Sequence, residues 1–328
     1  MSFDVETYLN SLPDDTKYID LSKRCLTYLP DLSRFTFLKY LNCSYNELTS
    51  LPLLNENLKE LYCYNNQLSS LPPLNENLEY LYCCYNGLTS LPHLNEKLQY
   101  LYCSYNQLTS LPPLNENLEY LYCCYNGLTS LPPLNENLKW LHCSDNKLTS
   151  LPPLNEKLEE LYCSVNKLTS LPPLNEKLEE LYCSNNKLTS LPSLNENLRE
   201  LDCSNNQLTS LPPLTENLKE LDCCDNQLTS LLQLNDEMNL IFDNNPIYNL
   251  IINLNDKIDL EYDLKELNKI LKIINNFRDL YYSLKFKKHF IKWLWKSKEK
   301  QIMEKYHPKY LWENLEEKTD LDEFLEKW

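Results

Sequence analysis

Between residues 38 and 231 the chain repeats one arrangement of apolar and polar positions every 20 residues. Leu38, Leu41, Cys43, Asn46 and Leu48 open the series, which runs without a gap to Leu218, Leu221, Cys223, Asn226 and Leu228. In a copy such as Leu118 to Pro133, LEYLYCCYNGLTSLPP, the alternation across Tyr120, Leu121, Tyr122 and Cys123 has the period of a strand with one buried face. Leu121 and Cys123 then point inward, while Tyr120, Tyr122 and Cys124 point outward. Asn126 stands where the chain leaves the strand, and its amide can pair with backbone groups of adjacent turns. The LTSLPP segment that follows, with consecutive prolines such as Pro112 and Pro113, favours an extended path over a helix. Each copy buries about five aliphatic side chains, worth roughly 1.5 to 3 kcal/mol apiece, but only against its neighbours.

The ends of the series differ from its middle. Residues 1–17 predict a short amphipathic helix that caps the open core, with Ser2 as N-cap and Phe3, Val5, Tyr8, Leu9 and Leu12 available for packing. In the degenerate first copy Ile19, Leu21 and Leu26 keep the apolar pattern, and Arg24 replaces the asparagine. After Leu231 the period breaks; Leu240, Phe242, Asn245 and Ile247 read as a closing copy shifted by one residue. From about Lys257 apolar residues recur at helical spacing, as in Leu264, Leu267, Ile270, Leu271 and Ile274. Two or three helices are expected over 257–306, and a short pair beyond His307-Pro308. The expected organisation is a cap at 1–17, an array of about 12 repeats at 18–250 and a helical unit at 251–328.

The lettering L-x-x-L-x-C-x-x-N-x-L, with Cys at the third apolar position, resembles the leucine-rich repeat family in its short L-P-x form, known from secreted bacterial effectors. The wording of the repeats, together with IMEKYHPKYL and DLDEFLEKW in the tail, more closely resembles giant-virus leucine-rich repeat proteins of the mimivirus kind. The resemblance implies an α/β-type solenoid: a horseshoe with a parallel concave sheet and an extended convex side, followed by a small C-terminal α-helical unit. Effectors of the L-P-x type often carry a C-terminal ubiquitin-ligase domain with a nucleophilic cysteine. This chain has no cysteine after Cys224, so that activity does not carry over.

Composition narrows the function further. The 328 residues contain no alanine and two glycines, Gly87 and Gly127, which excludes glycine-rich phosphate loops. Residues 1–250 hold 32 acidic and 15 basic side chains, and a surface this acidic repels phosphate backbones. Ten of the fourteen cysteines share one inward position and form a single column of small core side chains, in an arrangement without disulfide or zinc spacing. That usage implies a reducing compartment. Asp4 and Glu6 interrupt any N-terminal apolar run, and no stretch reaches the 18 apolar residues of a membrane span. The expected location is cytoplasmic, in host cytoplasm or virion if the viral resemblance holds. The histidines, His93, His142, His289 and His307, are scattered, so no catalytic constellation, metal site or cofactor is expected.

Chemistry therefore rests on the outward columns. One reads Tyr80, Tyr100, Tyr120, Trp140, Glu160, Glu180, Glu200 and Glu220; the next reads Tyr62, Tyr82, Tyr102, Tyr122, His142, Tyr162, Tyr182, Asp202 and Asp222. Tyr85, Tyr105 and Tyr125 add a third aromatic row at the strand exit. A face with an aromatic half and an acidic half suits a protein partner with a basic patch, the aromatics anchoring and the acids steering. The bland alternative is a ladder kept by repeat duplication, since cross-strand aromatic pairs stabilise a sheet by themselves. A second surface is KFKKHFIKWLWKSKEK, residues 285–300, whose Lys285, Lys287, Lys288, Lys292 and Lys296 are interleaved with aromatics. Such a segment can meet an anionic membrane or nucleic acid, or simply cover the end of the array.

Overall fold

The computed structural model describes residues 3–231, 234, 238–254, 267–276 and 285–287. The chain divides into two compact units, Met1–Leu271 and Lys272–Trp328. In the first unit α1 (Val5–Asn10) precedes twelve three-residue strands. These are β1 (Tyr18–Asp20), β2 (Tyr40–Asn42), β3 (Glu60–Tyr62), β4 (Tyr80–Tyr82), β5 (Tyr100–Tyr102), β6 (Tyr120–Tyr122), β7 (Trp140–His142), β8 (Glu160–Tyr162), β9 (Glu180–Tyr182), β10 (Glu200–Asp202), β11 (Glu220–Asp222) and β12 (Asn239–Ile241). They form one parallel sheet in sequence order, a leucine-rich repeat solenoid. Register follows the repeat: Leu121 faces Leu101 and Leu141, and the closing copy keeps it, with Leu221 opposite Leu240.

Each regular copy fully buries three leucines and one cysteine, as in Leu118, Leu121, Cys123 and Leu128. Leu131 and Leu134 are only half-buried, which is fewer buried aliphatics than the sequence pattern predicts. The convex return is extended, as the prolines require. Beyond the strand the ladder continues through Cys123 N–H to His142 O (2.8 Å) and Tyr125 N–H to Ser144 O (3.1 Å), and then reverses, with Gly127 N–H donating to Leu108 O (2.8 Å).

Two asparagine columns close the polar accounts of the turns. Asn126 donates through Nδ2 to Cys103 O and Cys123 O (3.1 and 3.2 Å), while its Oδ1 accepts from Leu108 N–H (3.0 Å). The same pattern runs from Asn46 to Asn245, the latter accepting from Leu228 N–H at 2.9 Å. The second column, on the return side, has no counterpart in the sequence reading. Asn115 donates to Asn95 O and Leu98 O (2.7 and 3.0 Å) and accepts from Asn117 N–H (2.8 Å). Asn155 and Asn195 repeat those donations. In the next copy Thr215 takes the place, and its buried Oγ1 finds no hydrogen-bond partner.

At the N-terminal end, α1 buries Val5 and Leu9, but its N-cap is Asp4 and not Ser2. Asp4 Oδ1 accepts from Thr7 N–H at 3.1 Å and Oδ2 from Thr7 Oγ1 at 2.6 Å, satisfying an orphan donor of the first turn. Arg34 anchors the other end by donating to Leu12 O (3.1 Å) and to Asp14 Oδ1 (2.6 Å). After β12 a helix, α2 (Pro246–Leu254), begins about ten residues earlier than the apolar spacing predicts. Pro246 starts it because the first helical position has no use for a backbone N–H. Residues 267–276 are helical, with Leu267 and Leu271 buried. Asn268 pairs both ways with Leu234, donating to its O (3.0 Å) and accepting from its N–H (2.9 Å). The expected helices at 310–317 and 320–328 lie outside the described residues. Among the described residues no helix is long and apolar enough to cross a membrane.

Candidate functional site

Alternation along each strand puts the middle residue inside and the two flanking residues on the solvent face, so strands stacked in register turn repeated letters into columns. In the third-position column Tyr62, Tyr82, Tyr102 and Tyr122 stack with ring centroids 4.4 Å apart and planes within 12°. His142 continues the column with its ring tilted, 4.2 Å from Tyr122 at 52° and 4.0 Å from Tyr162 at 32°, and Tyr182 stacks on Tyr162 at 4.4 Å. The column of ring contacts is therefore seven rings long, with the tilted histidine between a run of four stacked tyrosines and a stacked pair. In the first-position column Tyr80, Tyr100 and Tyr120 stack at 4.4 and 4.5 Å, and Trp140 meets Tyr120 edge-on at 4.9 Å. Tyr85, Tyr105 and Tyr125 form a third stack at 4.1 and 4.2 Å.

Because the rings spend their faces on one another, the surface they present is made of ring edges and hydroxyls. Tyr18 and Tyr40, which the sequence reading passes over, extend this surface: they stack at 4.1 Å, and Tyr40 meets Tyr62 at 5.1 Å. The signal was the shared frame with Tyr80, hidden by the irregular 22-residue first interval and by Glu60. Burial raises the phenols of Tyr62, Tyr82, Tyr102 and Tyr122, that of Tyr122 up to about 12, so these four act as neutral donors.

From β8 onward the first-position column becomes acidic, and the two columns lock together. The hydroxyls of Tyr162 and Tyr182 donate to the carboxylates of Glu180 and Glu200, one strand further on. His142 Nε2 lies 3.3 Å from Glu160 Oε2. That distance admits an ion pair, yet burial drives both partners toward neutrality. The imidazole is held down to about 4. The Glu160 carboxyl is pushed up to about 7 by burial and then by the charges of Glu180, Glu159, Glu179 and Glu200. We read the contact as a hydrogen bond from a neutral imidazole. Asp202 and Asp222 turn one oxygen back on the chain, accepting from Ser204 N–H and Cys224 N–H, both at 3.0 Å. Glu220 is exposed.

The third aromatic row owes its place to the backbone. The residue before each ladder asparagine is left-handed, with φ of 53°, 56° and 51° at Tyr85, Tyr105 and Tyr125, and 54° at Val165. That conformation swings the side chain out of the sheet, and Tyr85 and Tyr125 are nearly half exposed. Behind the face, the ten cysteines of the inward column are buried and free, and burial raises their thiols, that of Cys163 up to about 12. They are core residues, far from thiolate chemistry at neutral pH. Of the basic segment, Lys285, Phe286 and Lys287 are helical and exposed; Lys288, Lys292 and Lys296 lie outside the described residues.

Stacked strands, inward leucines and asparagine-closed turns define a leucine-rich repeat protein. The family model for paired leucine-rich repeats matches residues 36–76, 56–96, 76–116, 96–136, 136–176, 156–196, 176–216 and 196–236, and the chain belongs to this family. Among solved structures it is similar to YopM from Yersinia enterocolitica WA-314, at 34% identity and a TM-score of 0.64 over 73% of this chain and 59% of that one. It is equally similar to YopM from Yersinia pestis, described as a leucine-rich effector protein, at 34% identity and 0.65 over 70% of this chain and 66% of that one. The functional domain of InlJ from Listeria monocytogenes, described as including a cysteine ladder, matches at 26% identity and 0.51 over 70% of this chain and 64% of that one. The chain thus spans less than two thirds of each of these. Comparison with curated proteins finds no match.

Proposed function

We propose that the chain is a non-enzymatic scaffold that binds a protein partner on the concave, solvent-facing side of the sheet. The observation that carries this reading is the segregation of that side. Aromatic side chains fill both outward columns from β4 to β7, and from β8 to β11 the first-position column is all glutamate while the third-position column turns from tyrosine to aspartate at β10, on a frame whose inward letters barely change. Similarity to effector repeat domains supports the reading, because leucine-rich repeats serve as interaction scaffolds. The resemblance of the repeats to those of giant-virus proteins supports a host protein as the partner, and the column of free, buried thiols fits the cytoplasm. Rigid aromatic side chains anchor the partner at low entropic cost, and the acids steer it.

The test is capture of partners from expressing-cell extract by the full chain and by Tyr102→Ala/Tyr122→Ala/Trp140→Ala. Partners that bind this side are lost or weakened at least about tenfold in the triple variant, about the cost of one hot-spot residue. Unchanged capture of every partner overturns the reading.

A further inference from the structure

A ring inside a stack spends both faces on its neighbours, so the exceptions are the rings where a stack stops. Trp140 is the last ring of the first-position column. On one side Tyr120 meets it edge-on, with centroids 4.9 Å apart and planes at 78°. On the other side the register sets Trp140 against Glu160, a carboxyl and not a ring. Along its own strand the half-buried indole lies 6.5 Å from His142, with planes within 15° of parallel, wider than the 4.4 Å of the stacked tyrosines. Glu160 closes the group: its Oε2 lies 3.3 Å from His142 Nε2, and the side chains of His142 and Glu160 are only 17% and 19% exposed. No described residue donates to Glu160 Oε1, and among the described residues no lysine or arginine pairs with this carboxyl. One column earlier the chain does answer its own acids, as Lys139 does Glu119 at 2.6 Å.

An indole face is the best ring surface for a cation, and a partly buried carboxylate beside it supplies the counter-charge. A guanidinium suits both at once, because it is planar, weakly hydrated, stacks on aromatic faces and carries N–H donors along its edge; an ammonium is a compact, strongly hydrated point charge. We propose that Trp140, His142 and Glu160 form a seat for one arginine side chain of the protein partner. The guanidinium lies on the indole, its edge donates to Glu160 Oε1, and His142 holds Oε2 of the same carboxylate. The neighbouring charges of Glu180, Glu159, Glu179 and Glu200 push the Glu160 carboxyl toward its protonated form, and an incoming cation relieves that repulsion. The inference rests on the reading of this face as an interaction surface and names the kind of side chain it anchors and the place.

The probe is N-acetyl-arginine amide, titrated into the full chain at fixed ionic strength and read by the nuclear magnetic resonance shift of the His142 Cε1 proton. The lysine amide keeps the charge without the plane, and the citrulline amide keeps the plane without the charge. The expected result is a saturable shift with the arginine amide, binding at least about threefold weaker with the lysine amide, and none with the citrulline amide. Glu160→Gln keeps the shape and weakens arginine binding at least about fivefold, against less than about twofold for Glu220→Gln, three strands away. Trp140→Glu writes the letter of the next copy into this one, so the frame accepts it; it adds a negative charge but removes the indole, and arginine binding falls at least about threefold. Circular dichroism checks that each variant is folded. Arginine binding that rises in Trp140→Glu, or equal losses in Glu160→Gln and Glu220→Gln, would assign the affinity to diffuse charge and overturn the inference. A wild-type chain with no saturable shift, or with no preference for arginine over lysine, overturns it too. That failure leaves the capture test standing, since other residues of the face can hold a partner, whereas arginine bound at Trp140 with unchanged capture sinks the scaffold reading alone.

Discussion

The second asparagine column breaks at Thr215, and repairing it gives a direct measure of what one rung is worth. In the preceding copy Asn195 donates to Asn175 O at 2.6 Å and to Leu178 O at 3.0 Å, and accepts from Asn197 N–H at 2.8 Å. One copy later the corresponding groups are Asn195 O, Leu198 O and Asn217 N–H, facing a buried threonine hydroxyl without a partner. Leaving such a hydroxyl buried and unsatisfied costs about 1 to 3 kcal/mol, and each hydrogen bond made contributes about 1 kcal/mol net. Ordering the longer amide side chain takes back up to about 1 kcal/mol. Thr215→Val, which removes the hydroxyl and keeps the shape, is expected to stabilise by about 1 kcal/mol. Thr215→Asn is expected to stabilise by about 2 kcal/mol or more. At roughly 2 to 4 °C per kcal/mol for a unit of this size, the asparagine variant melts about 4 to 8 °C higher. Since stacked repeats respond locally, hydrogen exchange should slow most near Leu218, whose N–H bonds to Thr215 O at 3.3 Å, and little near Leu58. A melting point unchanged or lowered by Thr215→Asn, or a valine variant more stable than the asparagine one, refutes the account.

Two other outcomes follow from backbone and charge. Val165 holds a left-handed φ of 54° where other copies use tyrosine, asparagine or aspartate, and a β-branched residue tolerates that region poorly. Val165→Asn is therefore expected to raise stability by about 1 kcal/mol in urea unfolding; a loss would contradict the strain argument. His142 and Glu160 oppose each other in pH dependence. His142, held down to about 4 when folded, contributes stability that is present above its ordinary 6.5 and lost as pH falls toward 4. Glu160, pushed up to about 7 from 4.5, contributes stability that is full below 4.5 and lost as pH rises through 7. In Glu160→Gln only the histidine slope is left at this site, so the variant loses stability relative to wild type as pH drops from 6.5 to 4, measured by unfolding midpoints across that range. Parallel pH profiles for the two proteins would show that the pair is not linked to folding.

Much of the architecture was legible because a strand's period is fixed at two: Leu121 and Cys123 had to be inside once Tyr120 and Tyr122 were outside. The asparagine at 126 was legible for a similar reason, since it recurs where a strand ends and its backbone neighbours would otherwise be unpaired. Asn115 was not, because an asparagine in a polar turn reads as an ordinary turn residue until the next copy brings Asn95 O and Leu98 O within reach. Asp4 displaced Ser2 as the cap because capping is decided by which side chain reaches Thr7 N–H, a distance and not a letter. Pro246 carries a helix-start signal, but the apolar residues at helical spacing lie further along, from Leu264 to Ile274.

By itself, then, the sequence determined the repeat length, the parallel stacking, the buried leucine and cysteine columns and which letters face solvent, since these follow from alternation and periodicity alone. What the tyrosines offer a partner was decided only in three dimensions. Copies stacked in register consume the ring faces and leave edges and hydroxyls, tie Tyr162 and Tyr182 to the glutamates of the following strand, and turn Asp202 and Asp222 back to cap their own turns. Those outcomes depend on the distance between successive copies, a quantity that arises only once neighbouring strands have packed.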